Sequence, residues 1–126
     1  MWIRDSNLSA EQVKQEIVDG SIVVDIRDHR ELYEKGKIPG AIHAPRGMLE
    51  FWIDPASEYH RKVFEPGKRY VLYCAGGGRS ALAAKTMQEM GYEGVGHLEP
   101  GFGGWEAAGF EIEDIKESSK WIPRPA

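Results

Sequence analysis

The chain has 126 residues, 41% hydrophobic and 29% charged, with 15 Gly, 7 Pro and one Cys, the profile of one globular domain able to bury its own apolar core. A single cysteine excludes an internal disulfide framework, a CxxC redox pair and a multi-Cys metal knuckle. Lys and Arg number 16 against 20 Asp and Glu, a formal net charge of -4 without any basic run, so nucleic acid is not an expected partner. No stretch approaches the roughly 20 apolar residues of a membrane span, so no membrane association is expected. Met1-Trp2-Ile3-Arg4-Asp5 lacks the apolar centre of a signal peptide, which makes a cytoplasmic location the expectation, or a periplasmic one if a leader has been removed.

Residues 8–13 predict a helix start, with Ser9 at the N-cap, Gln12 three residues on, and Leu8 and Val13 as an apolar pair across the first turn. That helix is expected to stop at Gly20. Residues 21–26, Ser-Ile-Val-Val-Asp-Ile, are β-branched and continuously apolar, the pattern of a central parallel strand covered on both faces. Asp28 is placed to cap a short helix through about Lys35, with Gly36 as its C′ residue, before the turn-rich residues 36–41. Met48, Leu49, Phe51 and Trp52 are expected to be helical until Asp54-Pro55 ends the pattern.

Residues 70–74 form a second strand, and between Arg79 and Met90 a helix should align Leu82, Ala83, Thr86, Met87 and Met90 on one stripe, closed by Gly91. Residues 95–98 read as another strand, 103–108 as a short helix, and the chain from Glu111 onward as a polar tail carrying Trp121. Alternating strands and helices imply an α/β architecture, a mostly parallel central sheet flanked by helices. The expected organisation is a single domain over residues 1–126, with a core of about 9–112 and a tail of about 113–126.

Ligand sites of open α/β sheets lie beyond the carboxyl ends of the strands, and Cys74 falls there, directly before Ala75-Gly76-Gly77-Gly78-Arg79-Ser80 and a helix. Three glycines allow positive φ angles that turn backbone N–H groups inward, while a helix starting near Arg79 adds unpaired donors. Such a cradle favours thiolate over thiol at Cys74. A drop of about two pKa units is about 2.7 kcal/mol, within reach of a few directed hydrogen bonds. The reading requires the thiol to be ionised near neutral pH and open to solvent. The loop is not a nucleotide P-loop, since GxxxxGK[ST] is absent. His29, His43, His60 and His97 show no ligand spacing and are expected to be solvated or core histidines, and neither a metal nor an organic cofactor is expected.

The loop Cys74-Ala-Gly-Gly-Gly-Arg-Ser80 resembles the Cys-x-x-Gly-x-Arg-Ser/Ala active loop of rhodanese domains. Residues 24–27, Val-Asp-Ile-Arg, resemble that family's first central strand, residues 36–42 its Gly-His-Ile-Pro-Gly-Ala motif, and residues 98–105 its Gly-Gly-x-x-x-Trp signature. Together these segments cover about residues 9–112. The resemblance implies a rhodanese-like three-layer fold and sulfane-sulfur transfer. The Cys74 thiolate attacks the outer sulfur of thiosulfate or a persulfide, carries it as a persulfide, and passes it to cyanide or a thiol. It makes Cys74 the catalytic residue and Ala75, Gly76, Gly77, Gly78, Arg79 and Ser80 the donor-binding loop, with Arg79 fixing its shape and adding positive potential. Asp25 and Arg27 take structural roles beside it.

The segment 44–52 is expected to wall the mouth, where Arg46 would meet an anionic donor and Phe51 or Trp52 a bulkier one. Lys37 and His43 stand where many members have His and Asn, and should alter local hydrogen bonding more than chemistry. Cys-based phosphatases of related shape place five residues between Cys and Arg. The four found here, Ala75, Gly76, Gly77 and Gly78, disfavour a phosphoryl ligand. Mercaptopyruvate enzymes of the superfamily usually carry a different loop and a second domain, which favours thiosulfate-like or persulfide donors. Partners are therefore a small sulfur donor and an external acceptor, with the chain a monomer or weak homodimer; the sequence assigns no dimer contact to the tail or Trp121. A different class of function, a quiet module that holds an anion or persulfide without turnover, fits the same loop.

Overall fold

A computed structural model describes residues 6–119; Trp121 lies outside them. Five parallel strands form one sheet in the order β1-β5-β4-β2-β3. They are β1 (Asn7–Leu8), β2 (Ile22–Asp25), β3 (Ile42–His43), β4 (Tyr70–Tyr73) and β5 (Val95–Leu98). The helices are α1 (Ala10–Val18), α2 (His29–Lys35), α3 (Leu49–Ile53, after a 3-10 turn over Arg46–Met48), α4 (Gly78–Glu89) and α5 (Gly101–Ala107). This is the α/β architecture anticipated from the sequence, a parallel sheet flanked by helices.

Local chemistry accounts for the helix ends. Ser9 Oγ accepts from the Gln12 amide at 3.1 Å while Gln12 Oε1 accepts from the Ser9 amide at 2.8 Å, so two orphan donors at the start of α1 are satisfied reciprocally. Asp28 caps α2 through the Glu31 amide, and Gly36 ends it at φ +82°. Alternation along the strands divides the core into two layers. Val24, Leu72 and Cys74 face α3 and α4, packing with Leu49, Ile53, Ala83 and Met87. Val23, Val71 and Tyr73 face the other way, against Val13 of α1 and Phe102 and Trp105 of α5.

Two expectations are corrected, and two short strands are found where the sequence signalled none. On α4 the buried residues are Ser80, Ala83, Ala84 and Met87, whereas Leu82 is 68% exposed; the helix turns a serine rather than that leucine toward the sheet. β1 and β3 are two-residue strands whose alignment comes from pairing with β5 and β2 rather than from any apolar pattern of their own. The segment after α5 is exposed at its acidic side chains yet anchored: Lys37 and Glu113 form an antiparallel bridge, Trp105 Nε1 donates to Glu111 O, and Ile115 is buried.

Candidate active site

The chain runs β2 to β3 at one edge, then crosses to place β4 on the other side of β2. Cys74 therefore leaves β4 where the direction of winding reverses, the usual ligand crevice of such sheets. Beyond it, Gly77 adopts φ +98° and Gly78 begins α4; Gly77 is the one member of the glycine triplet that uses the left-handed region. A Cβ at Gly77 would lie 2.1 Å from Glu99 O, so the loop and the turn after β5 are in backbone contact. That turn also grips the cysteine from behind, the Phe102 amide donating to Cys74 O at 2.8 Å and the Gly103 amide to Ala75 O at 3.2 Å.

The Gly77 amide donates to Cys74 Sγ at 3.1 Å, and Ser80 Oγ lies 3.6 Å from the sulfur. Burial pushes the thiol up, but the Ser80 amide and hydroxyl and the Gly77 and Gly76 amides outweigh it and hold the Cys74 thiol below its ordinary value. The expectation of an open thiol is corrected, because Cys74 is 1% exposed. Its sulfur forms the floor of the cradle, beneath the exposed backbone of Ala75, Gly76 and Gly78.

Arg79 reaches α2, where its two terminal nitrogens donate to both carboxylate oxygens of Glu31 at 2.8 and 2.9 Å. Glu31 raises the Arg79 guanidinium and Arg79 holds the Glu31 carboxyl down, so most of its positive charge is already answered. Arg46 is likewise engaged, by Glu50 one turn on, while Phe51 stands half-exposed against Tyr59 and Trp52 lies under the Arg61 guanidinium. The structure thus gathers Cys74, Gly76, Gly77 and Ser80 around one atom but ties the guanidinium of Arg79 to Glu31 and that of Arg46 to Glu50.

Asp25 and Arg27 form a buried pair beside the loop. Arg27 Nη2 donates to Asp25 Oδ2 and to Gly36 O, both at 2.7 Å, and its guanidinium lies 4.3 Å from the Phe102 ring centroid. Lys37 Nζ donates to Ala41 O, and His43 Nε2 bonds Arg27 O, local substitutions within the same corner. His97 is the residue that sequence reasoning missed. It is 5% exposed and hydrogen-bonds Ser80 Oγ. Register carries the signal: His97 pairs with Leu72, two residues before Cys74 on the neighbouring strand, so both side chains share a face.

The Rhodanese-like domain family model matches residues 9–108. "Putative sulfur carrier protein YrkF" of Bacillus subtilis is 37% identical over 100 residues, covering 78% of this chain and 49% of that protein. The tRNA uridine(34) hydroxylase of Erwinia tasmaniensis is 34% identical over 85 residues, covering 64% of this chain and 22% of that enzyme. The chain thus spans half or less of the length of these relatives. Among solved structures, RPA3614 of Rhodopseudomonas palustris superposes with a TM-score of 0.82 at 50% identity, covering 86% of this chain and 84% of that one; it is described as of unknown function and a possible tyrosine phosphatase.

Proposed function

Because the chain belongs to the rhodanese-like domain family, matched over residues 9–108, we propose that it is a sulfurtransferase that carries a sulfane sulfur on Cys74. The donor is thiosulfate or a persulfide and the acceptor cyanide or a thiol. In the first half-reaction the Cys74 thiolate attacks the outer sulfur of thiosulfate, the S–S bond of the donor breaks, and sulfite leaves with the bonding pair. In the second, an acceptor thiolate attacks the outer sulfur of the persulfide and Cys74 departs as thiolate. With no other cysteine in the chain, the persulfide has no internal disulfide route and turnover needs an external acceptor.

The observation that carries this reading is the surroundings of Sγ, which accepts from the Gly77 amide at 3.1 Å and lies 3.6 Å from Ser80 Oγ. They stabilise a thiolate and would stabilise a persulfide anion in its place. YrkF, a sulfur carrier by name, supports the same chemistry. The tyrosine phosphatase description belongs to RPA3614; here four residues separate Cys74 from Arg79, too short a ring for a tetrahedral phosphoryl group.

The burial of Cys74, 1% exposed where the enzyme reading requires a thiol open to solvent, counts against that reading and favours one rival, a module that holds a persulfide without rapid turnover. A thiosulfate:cyanide assay of the wild type and Cys74→Ala separates the two: sulfur transfer lost in the variant is expected, and a low rate unaffected by the substitution ends the enzyme reading. Mass spectrometry after thiosulfate treatment should show one added sulfur that cyanide removes. Unmodified protein without any acceptor would overturn the scheme.

A further inference from the structure

Beneath the loop four side chains from different strands and α4 form a hydrogen-bonded line. Cys74 Sγ lies 3.6 Å from Ser80 Oγ, Ser80 Oγ lies 2.9 Å from His97 Nδ1, and His97 Nε2 lies 3.1 Å from Asn7 Oδ1. Cys74, Ser80 and His97 are all buried. The direction of the line follows from its far end. A side-chain amide oxygen only accepts, so His97 carries its hydrogen on Nε2 and leaves Nδ1 bare. The bare nitrogen takes the Ser80 hydrogen in preference to the more distant Gly77 O at 3.2 Å. Ser80 Oγ then offers a lone pair to the thiol, and each donor is aimed at the next acceptor from sulfur to ring.

We infer that His97 is a positioning residue for sulfur transfer, the terminal acceptor of a proton relay that ionises Cys74 through Ser80. In the step the Sγ–H bond breaks and its electron pair stays on sulfur. The proton joins Ser80 Oγ as that oxygen's own proton passes to His97 Nδ1. The product is a thiolate receiving a hydrogen bond from Ser80, with an imidazolium held between Ser80 Oγ and Asn7 Oδ1. The titratable groups facing His97 are Cys74, through Ser80, and Glu99, the residue after β5. Burial lowers the proton affinity of the ring more than Glu99 raises it, so the resting ring is neutral, and its charged form depends on the thiolate created at the other end of the line. The use made of the thiolate rests on the sulfur-transfer reading; the relay itself does not.

Titration tests it. Cys74 is the one cysteine of the chain, so thiolate absorbance against pH reports that group, and ring nitrogen shifts report the His97 tautomer. The expected wild type shows an Nε2–H tautomer whose midpoint moves in Cys74→Ala. His97→Gln and Ser80→Ala are each expected to raise the thiolate midpoint, with modification below it slowed about tenfold per unit of displacement and unchanged at alkaline pH. The double variant should add little to either single one. An Nδ1–H tautomer, or a folded His97→Gln with a wild-type thiolate midpoint, would overturn the relay. If His97→Gln does not fold, Asn7→Leu at the exposed first position of β1 serves: a changed tautomer and a raised midpoint are expected, and wild-type values for both overturn it. A coupled titration without sulfur transfer to cyanide would end the functional reading and leave the relay standing.

Discussion

The carbonyl of Cys74 accepts the amide of Phe102 at 2.8 Å, so the turn after β5 holds the cysteine while its neighbour Glu99 sets the room available to the loop. Gly101, at φ +69°, closes that turn, and a Cβ there would lie 2.3 Å from Ala75 O. We expect Gly77→Ala and Gly101→Ala each to lose about 2 kcal/mol or more, because both positive φ and backbone contact oppose a side chain. Gly76→Ala meets nothing within 4 Å and should stay within about 0.5 kcal/mol of wild type. Urea denaturation of the three variants is the check; equal losses at all three positions would contradict it.

Arg27 and Asp25, 1% and 0% exposed, satisfy one another in a place water does not reach. Arg27→Ala strands the Asp25 carboxylate and should cost about 3 to 5 kcal/mol. Arg27→Lys should recover only part of it, since a lysine lacks the planar fork that reaches Asp25 and Gly36 together. Equal stability of Arg27→Lys and wild type in denaturant would show that the fork is unimportant.

The Cys74 thiol is held below its ordinary value, which is about 8.5. A group whose folded value is depressed stabilises the fold above its unfolded value, and that contribution is lost as pH falls through the folded one. The stability of wild type relative to Cys74→Ala should therefore grow as pH rises toward the ordinary thiol value and then level off. The rate of persulfide formation should rise with pH and reach its plateau below the ordinary thiol value. A rate still climbing beyond it would show that the donors around Sγ do not act.

Glu31 answers the charge of Arg79 at the surface. Glu31→Gln should cost under about 1 kcal/mol of stability, as exposed ion pairs do. It should also lower the KM for dianionic thiosulfate, because the local potential becomes more positive, with the gain fading at high salt. Steady-state kinetics at two ionic strengths measure it; an unchanged KM at low salt would place Arg79 outside the donor's reach.

Where side-chain chemistry is local, the sequence is readable. Ser9 with Gln12 and Asp28 with Gly36 mark helix ends that the structure reproduces, and the β-branched run of β2 needs no partner to be recognised. The order of motifs likewise places Cys74 at a strand end. What escapes is set by neighbours distant in sequence. Asn7 becomes part of a strand only because His97 lies alongside it. Leu82 looks apolar enough to be core, yet Ser80 takes the inward position on α4, where its hydroxyl meets Cys74 Sγ and His97 Nδ1. No composition signal distinguishes Arg79 aimed at a donor from Arg79 tied to Glu31. The burial of Cys74 depends in the same way on packing rather than on the loop's own letters.

The contact between Gly77 and Glu99 O also sets the terms for redesign. Inserting a residue between Cys74 and Arg79 to admit a bulkier tetrahedral oxyanion would drive the widened ring into the corner that follows β5. Both connections would have to be recut in one stroke, so single-site mutational steps toward phosphoester chemistry meet a barrier before any gain.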